Sequence, residues 1–159
     1  MLNDLFDTYS KDTNHQMQAI FSSIFILQNR MQTAGDKLQA EISMKQWLLL
    51  AMTETCPAPR TLTRIGALMG CSRQNVKKLA QALEQKGFVE LVSGANNAVE
   101  IVLTERAEEY NEASSARNRR ALALLFADFS EAEIAALFQL NRKLFAGVER
   151  VEQYAREEE

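Results

Sequence analysis

The sequence predicts a mainly α-helical chain: a winged helix-turn-helix with a two-stranded wing, plus long N- and C-terminal helices. Three observations predict it. Residues 61–89, TLTRIGALMGCSRQNVKKLAQALEQKGFV, carry two short helical patterns joined at a glycine. Two alternating apolar runs follow, Phe88–Val92 and Val99–Leu103. Apolar stripes at helical spacing occur near both ends of the chain.

The first short helix has apolar Leu62, Ile65 and Leu68, with Gly70 just past its end. Ser72 stands where an N-cap belongs, its hydroxyl placed to accept an orphan N–H of the next turn. The second helix keeps Val76, Leu79, Ala80 and Leu83 on one face. It stops at Lys86-Gly87, a cation in the last turn before a left-handed cap residue. A helix-turn-helix of this outline can seat its second helix in a DNA major groove.

The opposite face of that helix decides what the outline means. At about 100° per residue it presents Gln74, Lys78, Gln81 and Gln85, flanked by Asn75 and Lys77, with Arg73 in the first turn. A merely solvated face would carry Glu and Lys in pairs four apart. Amides suit adenine N6 and N7, while Arg and Lys suit guanine or phosphate. From Pro57 to Gly87 there are six bases (Arg60, Arg64, Arg73, Lys77, Lys78, Lys86) and one acid (Glu84), a local charge of +5 in a chain of −3. Such a basic island is the electrostatic footprint of a double-stranded DNA partner. The candidate DNA-binding set is Arg60, Arg64, Ser72, Arg73, Gln74, Asn75, Lys77, Lys78 and Gln81.

A length of 159 residues suits one compact domain or a small domain with helical extensions, and a 47% hydrophobic share suits a globular core. No apolar run approaches the ~20 residues of a membrane helix, and the N-terminus lacks the basic start and apolar block of a signal peptide. The expectation is a cytoplasmic protein with no membrane partner. Cys56 and Cys71, with His15 far away, do not make a usual zinc site, so no metal and no cofactor is expected. A structural disulfide does not suit a reducing cytosol. Cys71 has two readings: a thiol activated at a helix start, or a small residue filling a helix–helix corner, the plainer of the two. His15 is expected on a solvated turn.

Along the chain, residues 11–34 read as one long helix with Met17, Ile20, Phe21, Ile24, Leu27 and Met31 in a stripe, broken or bent at Gly35-Asp36. A second helix starts at Ser43, with Gln46 as capping-box partner and Trp47, Leu50 and Ala51 inward, and ends before Pro57 and Pro59. Ser93-Gly94-Ala95-Asn96-Asn97 is turn chemistry between the two strands. Thr104 is expected to cap a helix over 105–128. Ser130-Glu131-Ala132-Glu133 opens a final helix carrying Ile134, Leu137, Phe138, Leu144, Phe145, Val148 and Val151. Glu157–Glu159 reads as a disordered tail. The domains are then 1–42, an N-terminal dimerisation helix and linker; 43–104, the winged helix-turn-helix; and 105–159, C-terminal dimerisation helices. The first and last helices have surplus apolar surface, which a homodimer would bury across a two-fold axis. Ile20, Ile24, Leu137, Leu144, Val148 and Val151 are the candidate dimerisation residues. A dimer would match a palindromic operator.

In the order Lys45-Gln46-Trp47-Leu48-Leu49-Leu50, Thr61-Leu62-Thr63-Arg64-Ile65-Gly66, Ser72-Arg73-Gln74-Asn75-Val76-Lys77-Lys78, Leu83–Val89, Leu103-Thr104 and Ser130-Glu131, the chain resembles the MarR family of bacterial transcriptional regulators over about residues 15–150. The resemblance implies a homodimeric repressor or activator whose first and last helices dimerise, with a cavity between dimer and DNA lobes that takes a small-molecule effector. Trp47, Phe21, Phe25 and Met17 are candidate lining residues, or simply core. One departure stands out. The family's wing carries an Asp and an Arg two apart, where this chain has Ala95 and Asn97. Its wing, Phe88 to Leu103, has no Lys or Arg and carries Glu90 and Glu100. Asn96 and Asn97 remain able to bond minor-groove acceptors without charge attraction, so affinity should rest on the second helix and on Arg60, Arg64 and Arg73.

Two functions fit: a sequence-specific DNA-binding regulator that responds to a ligand, and a winged-helix dimer that binds protein or ligand without DNA. An enzyme is not expected, and no catalytic residue is assigned: the sequence has no metal cluster, phosphate loop or Ser/His/Asp set.

Overall fold

The computed structural model describes residues 6–158. From Thr13 onward the elements in chain order are α1 (Thr13–Leu38), α2 (Met44–Thr55), α3 (Leu62–Met69), α4 (Arg73–Gln85), β1 (Val89–Ser93), β2 (Val99–Leu103), α5 (Glu105–Leu125) and α6 (Glu131–Glu157), with a 3-10 turn at Ala95–Asn97. The chain divides into two compact units, one reaching to Ala113 and one starting at Ser114.

The first unit is built on α3 and α4. Val76, Ala80 and Leu83 of α4, Leu62 and Ile65 of α3, and Leu49 of α2 are sealed from solvent together with Phe88, Val89 and Ile101. Burying each large aliphatic side chain is worth about 1.5–3 kcal/mol, so this cluster holds the helices in one arrangement. β1 and β2 pair antiparallel with Val89 opposite Leu103 and Leu91 opposite Ile101. Thr61 bridges Glu100, and the Ile101 N–H donates to the Arg60 carbonyl at 3.0 Å, so the segment before α3 extends the ladder. The edge of Tyr110 meets Phe88 at 5.3 Å, and the Arg106 guanidinium stacks 4.9 Å from the Phe88 ring centre.

Helix ends follow their expected chemistry at most places. Ser43 and Gln46 form a reciprocal capping box on α2, and α2 ends at Thr55 before the prolines. Gly70 is left-handed at φ 63° after α3, Ser72 accepts from the Asn75 N–H, and Gly87 is left-handed at φ 77°. Asp12 caps α1 and accepts from the His15 backbone N–H, which, with the His15 ring, holds its carboxyl below the usual range. His15 is exposed, as expected.

Several expectations are corrected. Gly35-Asp36 does not break α1, which runs on to Leu38. Gly35 is instead a contact point: a Cβ there would lie 2.6 Å from the Met44 sulfur, so the missing side chain lets α2 approach. Asp36 accepts from the Met44 N–H at 2.6 Å, at the start of α2. Leu68 is 55% exposed, and Met69 packs on the core instead. β1 starts at Val89, with Phe88 fully buried as core. Thr104 does stand directly before α5, its carbonyl accepting from the Ala107 N–H, and its hydroxyl also donates to the Gly87 carbonyl at 2.7 Å, tying the start of α5 to the end of α4. α5 ends at Leu125, and Glu157 of the expected tail is helical, while Glu159 lies outside the described residues.

The second unit holds the remainder of α5 and α6. Ser130 and Glu133 form the expected capping box; the Ser130 hydroxyl and N–H hold the Glu133 carboxyl below its ordinary range. The apolar residues along α6 are exposed within the chain. No helix of the described residues is long and apolar enough to cross a membrane.

Gly66 carries a testable consequence. A Cβ there would lie 2.7 Å from the backbone oxygen of Cys71, in the turn that sets α4 against α3. Gly66→Ala should therefore destabilise the chain by about 1–3 kcal/mol, the cost of overpacking, although alanine is the better helix former. Urea unfolding measures it; an unchanged or raised midpoint would contradict the close approach.

Candidate nucleic-acid interface

Burial of Val76, Ala80 and Leu83 turns the opposite side of α4 to solvent, and Arg73, Gln74, Asn75, Lys77, Lys78 and Gln81 are all exposed there, with the Ser72 cap at the helix start. The structure brings these seven together. At about 100° per residue they divide into flanks. Gln74, Gln81 and Gln85 lie outermost. Arg73 and Lys77 lie on the flank shared with Glu84, which faces the wing: the Glu84 carboxylate accepts from the Leu91 N–H at 2.9 Å. Asn75 and Lys78 lie on the other flank, beside Leu79.

The two arginines before α4 are partly committed elsewhere. Arg60 is half-buried, and its Nε donates to the Cys56 carbonyl at 3.0 Å. Arg64 is exposed and donates to the Pro59 carbonyl at 2.9 Å. These bonds fix the loop before α3, and Arg64 remains exposed. Lys86, counted in the basic island, does not join the outer face: its Nζ donates to the Glu41 carbonyl at 2.7 Å. Glu41 also pairs with Arg106 at 2.8 Å, and Tyr110 donates to the Gln39 amide oxygen at 2.6 Å. The segment after α1 is thus tied to the end of α4 and the start of α5.

At the wing tip Asn96 and Asn97 both adopt left-handed torsions, φ 54° and 57°. Asparagine tolerates this region because its short amide bonds locally. The Glu100 side chain lies over Gly94, in space that a Cβ would occupy.

A cavity of about 730 Å³ opens beside α4. It is bounded by Gln28, Met31 and Gln32 of α1, Met44, Lys45 and Leu48 of α2, Met69–Cys71 at the helix turn, and Asn75, Lys78 and Leu79 of α4. The expected lining residues Trp47, Phe21, Phe25 and Met17 are not among them. Trp47 packs partly buried on the core, while Phe21, Phe25 and Met17 lie exposed along α1. The missed signal is Leu48, an apolar residue beside the buried pair Leu49-Leu50 and itself 37% exposed. Among the described residues no group of three or more His, Cys, Asp and Glu is placed to hold a metal ion. Both cysteines are free, Cys56 buried and Cys71 half-buried at the α3–α4 corner.

All six candidate dimerisation residues, Ile20 and Ile24 on α1 and Leu137, Leu144, Val148 and Val151 on α6, are exposed within the chain.

No protein-family model and no curated protein matches the chain. Solved structures do. A MarR/EmrR family transcriptional regulator from Acinetobacter sp. ADP1 superposes with a TM-score of 0.76 at 22% identity, over 84% of this chain and 96% of that one. BldR, a transcriptional regulator from Sulfolobus solfataricus, gives 0.71 at 16% identity over 85% and 99%. S. aureus MepR, solved as a DNA complex, gives 0.69 at 20% identity over 80% and 97%. The fold is that of the MarR-family regulators. In this MarR-type fold the wing of the present chain is acidic and without a base from Phe88 to Leu103.

Asn97→Arg tests the wing. Arginine at a left-handed position costs about 1–2 kcal/mol, so the variant should unfold at lower urea. If the wing reaches a duplex, the added cation should also steepen the log–log salt dependence of DNA binding by about 0.9. An unchanged slope would place the wing tip away from phosphate.

Proposed function

We propose that the chain is a homodimeric, sequence-specific DNA-binding regulator of transcription that works in the cytoplasm and responds to a small ligand. The observation that carries this reading is the outer face of α4: a run of amides and cations, held outward by a buried stripe, at the position of the second helix of a helix-turn-helix. Glutamine and asparagine match the donor–acceptor pattern of adenine, and arginine and lysine suit guanine or phosphate. The likeness in fold to MepR, solved with DNA, supports the same reading. Gln74 and Gln81 would read base edges, while Arg73, Lys77 and Arg64 would hold phosphate. The exposed apolar rows of α1 and α6 support a homodimer, and two copies would read a palindromic site with half-sites about one helical turn apart. The cavity beside α4 supports the ligand response; a volume near 730 Å³ lies in the usual range for small-molecule sites.

A second reading, a dimer that binds a protein or ligand without DNA, is favoured by one observation: the wing carries Glu90 and Glu100 and no base. Salt-dependent binding of duplex DNA separates the two, since phosphate neutralisation imposes a log–log salt slope that a protein partner does not.

On an operator recovered by selection from genomic fragments, Gln74→Ala should lower discrimination against a mismatched base by about 1–3 kcal/mol. Arg73→Ala should weaken all sequences alike and flatten the salt slope. Equal loss on operator and random DNA for Gln74→Ala would remove it from base reading. Sedimentation at micromolar concentration should give about twice the chain mass. Glutamate at Leu144 or Val148 should shift the protein toward monomer, because it would bury an unpaired charge. A parent chain that sediments as monomer would contradict the dimer.

A further inference from the structure

Glu84 is the one acid of the basic island between Pro57 and Gly87, and it stands in an unfavourable place. It lies in the last turn of α4, where the helix dipole disfavours a carboxylate. It also shares a flank with Arg73 and Lys77, about 10 Å along the axis from Lys77. That is roughly one Debye length at about 0.1 M salt, so its charge reaches a phosphate held by those cations. Glu84 is exposed and joins no ion pair among the described residues. What its carboxylate does make is a bond to another element: it accepts from the Leu91 N–H at 2.9 Å.

That bond falls on the free edge of the wing. β1 and β2 form a two-stranded sheet. The β2 edge is held by main chain, with the Ile101 N–H on the Arg60 carbonyl at 3.0 Å and Thr61 bridging Glu100. Leu91 pairs with Ile101 across the ladder, and its N–H points the other way, out of the β1 edge to Glu84. Leu91 is midway along β1, and the chain runs on through Ser93 to the tip amides of Asn96 and Asn97. A ribbon held along one edge keeps the freedom to swing about that edge. A second bond on the far edge, from α4 itself, removes that freedom.

We propose that Glu84 is a positioning residue for DNA recognition: its bond to Leu91 fixes the wing tip at one distance from Gln74 and Gln81, so that both meet a single operator, while its charge weakens binding to every duplex alike. The inference rests on the regulatory reading above and specifies where part of its sequence selection arises. An operator that suits both the wing amides and α4 gains from a wing already in place, because no segment has to be ordered on binding. A random duplex gains nothing from that placement and meets the same repulsion. Glu84 therefore raises selection and lowers general affinity.

Two substitutions in the full chain separate the bond from the charge. Glu84→Gln keeps an acceptor oxygen in reach of Leu91 and removes the charge; Glu84→Ala removes both. Amide exchange followed by NMR should find the Leu91 N–H as protected as in the parent in Glu84→Gln, and faster in Glu84→Ala. The Ile101 N–H is the control and should not change in either. Both variants should bind a random duplex about twofold tighter at low salt, the scale of one unit charge at that distance in water, and lose the gain as salt rises. On the operator recovered from genomic fragments, the ratio of operator to random affinity should stay at the parent value in Glu84→Gln. It should fall by roughly fivefold in Glu84→Ala, the scale of ordering a mobile segment on binding. Asn96→Gly/Asn97→Gly keeps the left-handed tip and removes its amides. That tip variant should lower the ratio by itself, and Glu84→Ala added to it should lower it no further.

A parent ratio in Glu84→Ala, or the same loss in Glu84→Gln, would overturn the positioning role. Losses that add between Glu84→Ala and the tip variant would show that Glu84 does not act through the wing, and would overturn it as well. No gain on random DNA in either variant would overturn the charge effect. A chain that binds no duplex at any salt would overturn the regulatory reading and the DNA role with it, while exchange at Leu91 still decides whether the carboxylate holds the wing.

Discussion

The rotation of α4 about its own axis governs which side chains it presents to the wing, to the cavity and to solvent. Val76, Ala80 and Leu83 are fully buried against Leu49, Leu62 and Ile65, and a turn of α4 by one residue would carry one of them into water and bring a lysine or glutamine inward. Removing a buried leucine costs about 2–5 kcal/mol, and burying an unpaired lysine costs several more, so the helix has one stable setting. The turn before it is equally constrained: Gly66 admits the Cys71 carbonyl, Gly70 reverses the chain and Ser72 caps the new helix. The two flanks of the outer face follow from that setting. One meets the wing through Glu84, and the other borders the cavity through Asn75, Lys78 and Leu79.

The wing is where this chain departs from a charge-driven design. Its backbone is well supported, with the β1–β2 ladder, the Thr61 bridge and the Glu84 bond to Leu91 all converging on it. The only acid of the basic island is thus also a structural ligand of the wing. The tip is held by two left-handed asparagines and offers amides in place of a cation. In the regulatory reading proposed here, a wing of this kind would contact a groove without adding counterion release, and the salt-dependent part of affinity would rest on α4 and Arg64.

Most of the fold was legible in the sequence because it is local. Stripes at three and four residues marked α2, α4 and α6, and capping residues at Ser43, Ser72 and Ser130 marked their starts to the residue. The exposed face of α4 was legible for the same reason, since helical periodicity alone places Gln74 opposite Val76 and Leu83. The features that escaped are contacts between distant parts of the chain. Gly35 looked like a helix break because a glycine's reason for being there, the sulfur of Met44, lies in another helix. Lys86 counted toward the basic island because nothing near it in sequence announces the Glu41 carbonyl that it binds. The cavity draws on four segments from Gln28 to Leu79, and no periodicity relates them.

The central claim is that the outer face of α4 enters a major groove. Methylation protection on a selected genomic fragment tests it most directly, because guanine N7 is exposed only in that groove. The expected result is protection of guanine N7 in two patches about one helical turn apart, lost from both patches in Gln74→Ala/Lys78→Ala. A fragment that is bound with every guanine N7 still reactive, or bound equally well by that double variant, would contradict it.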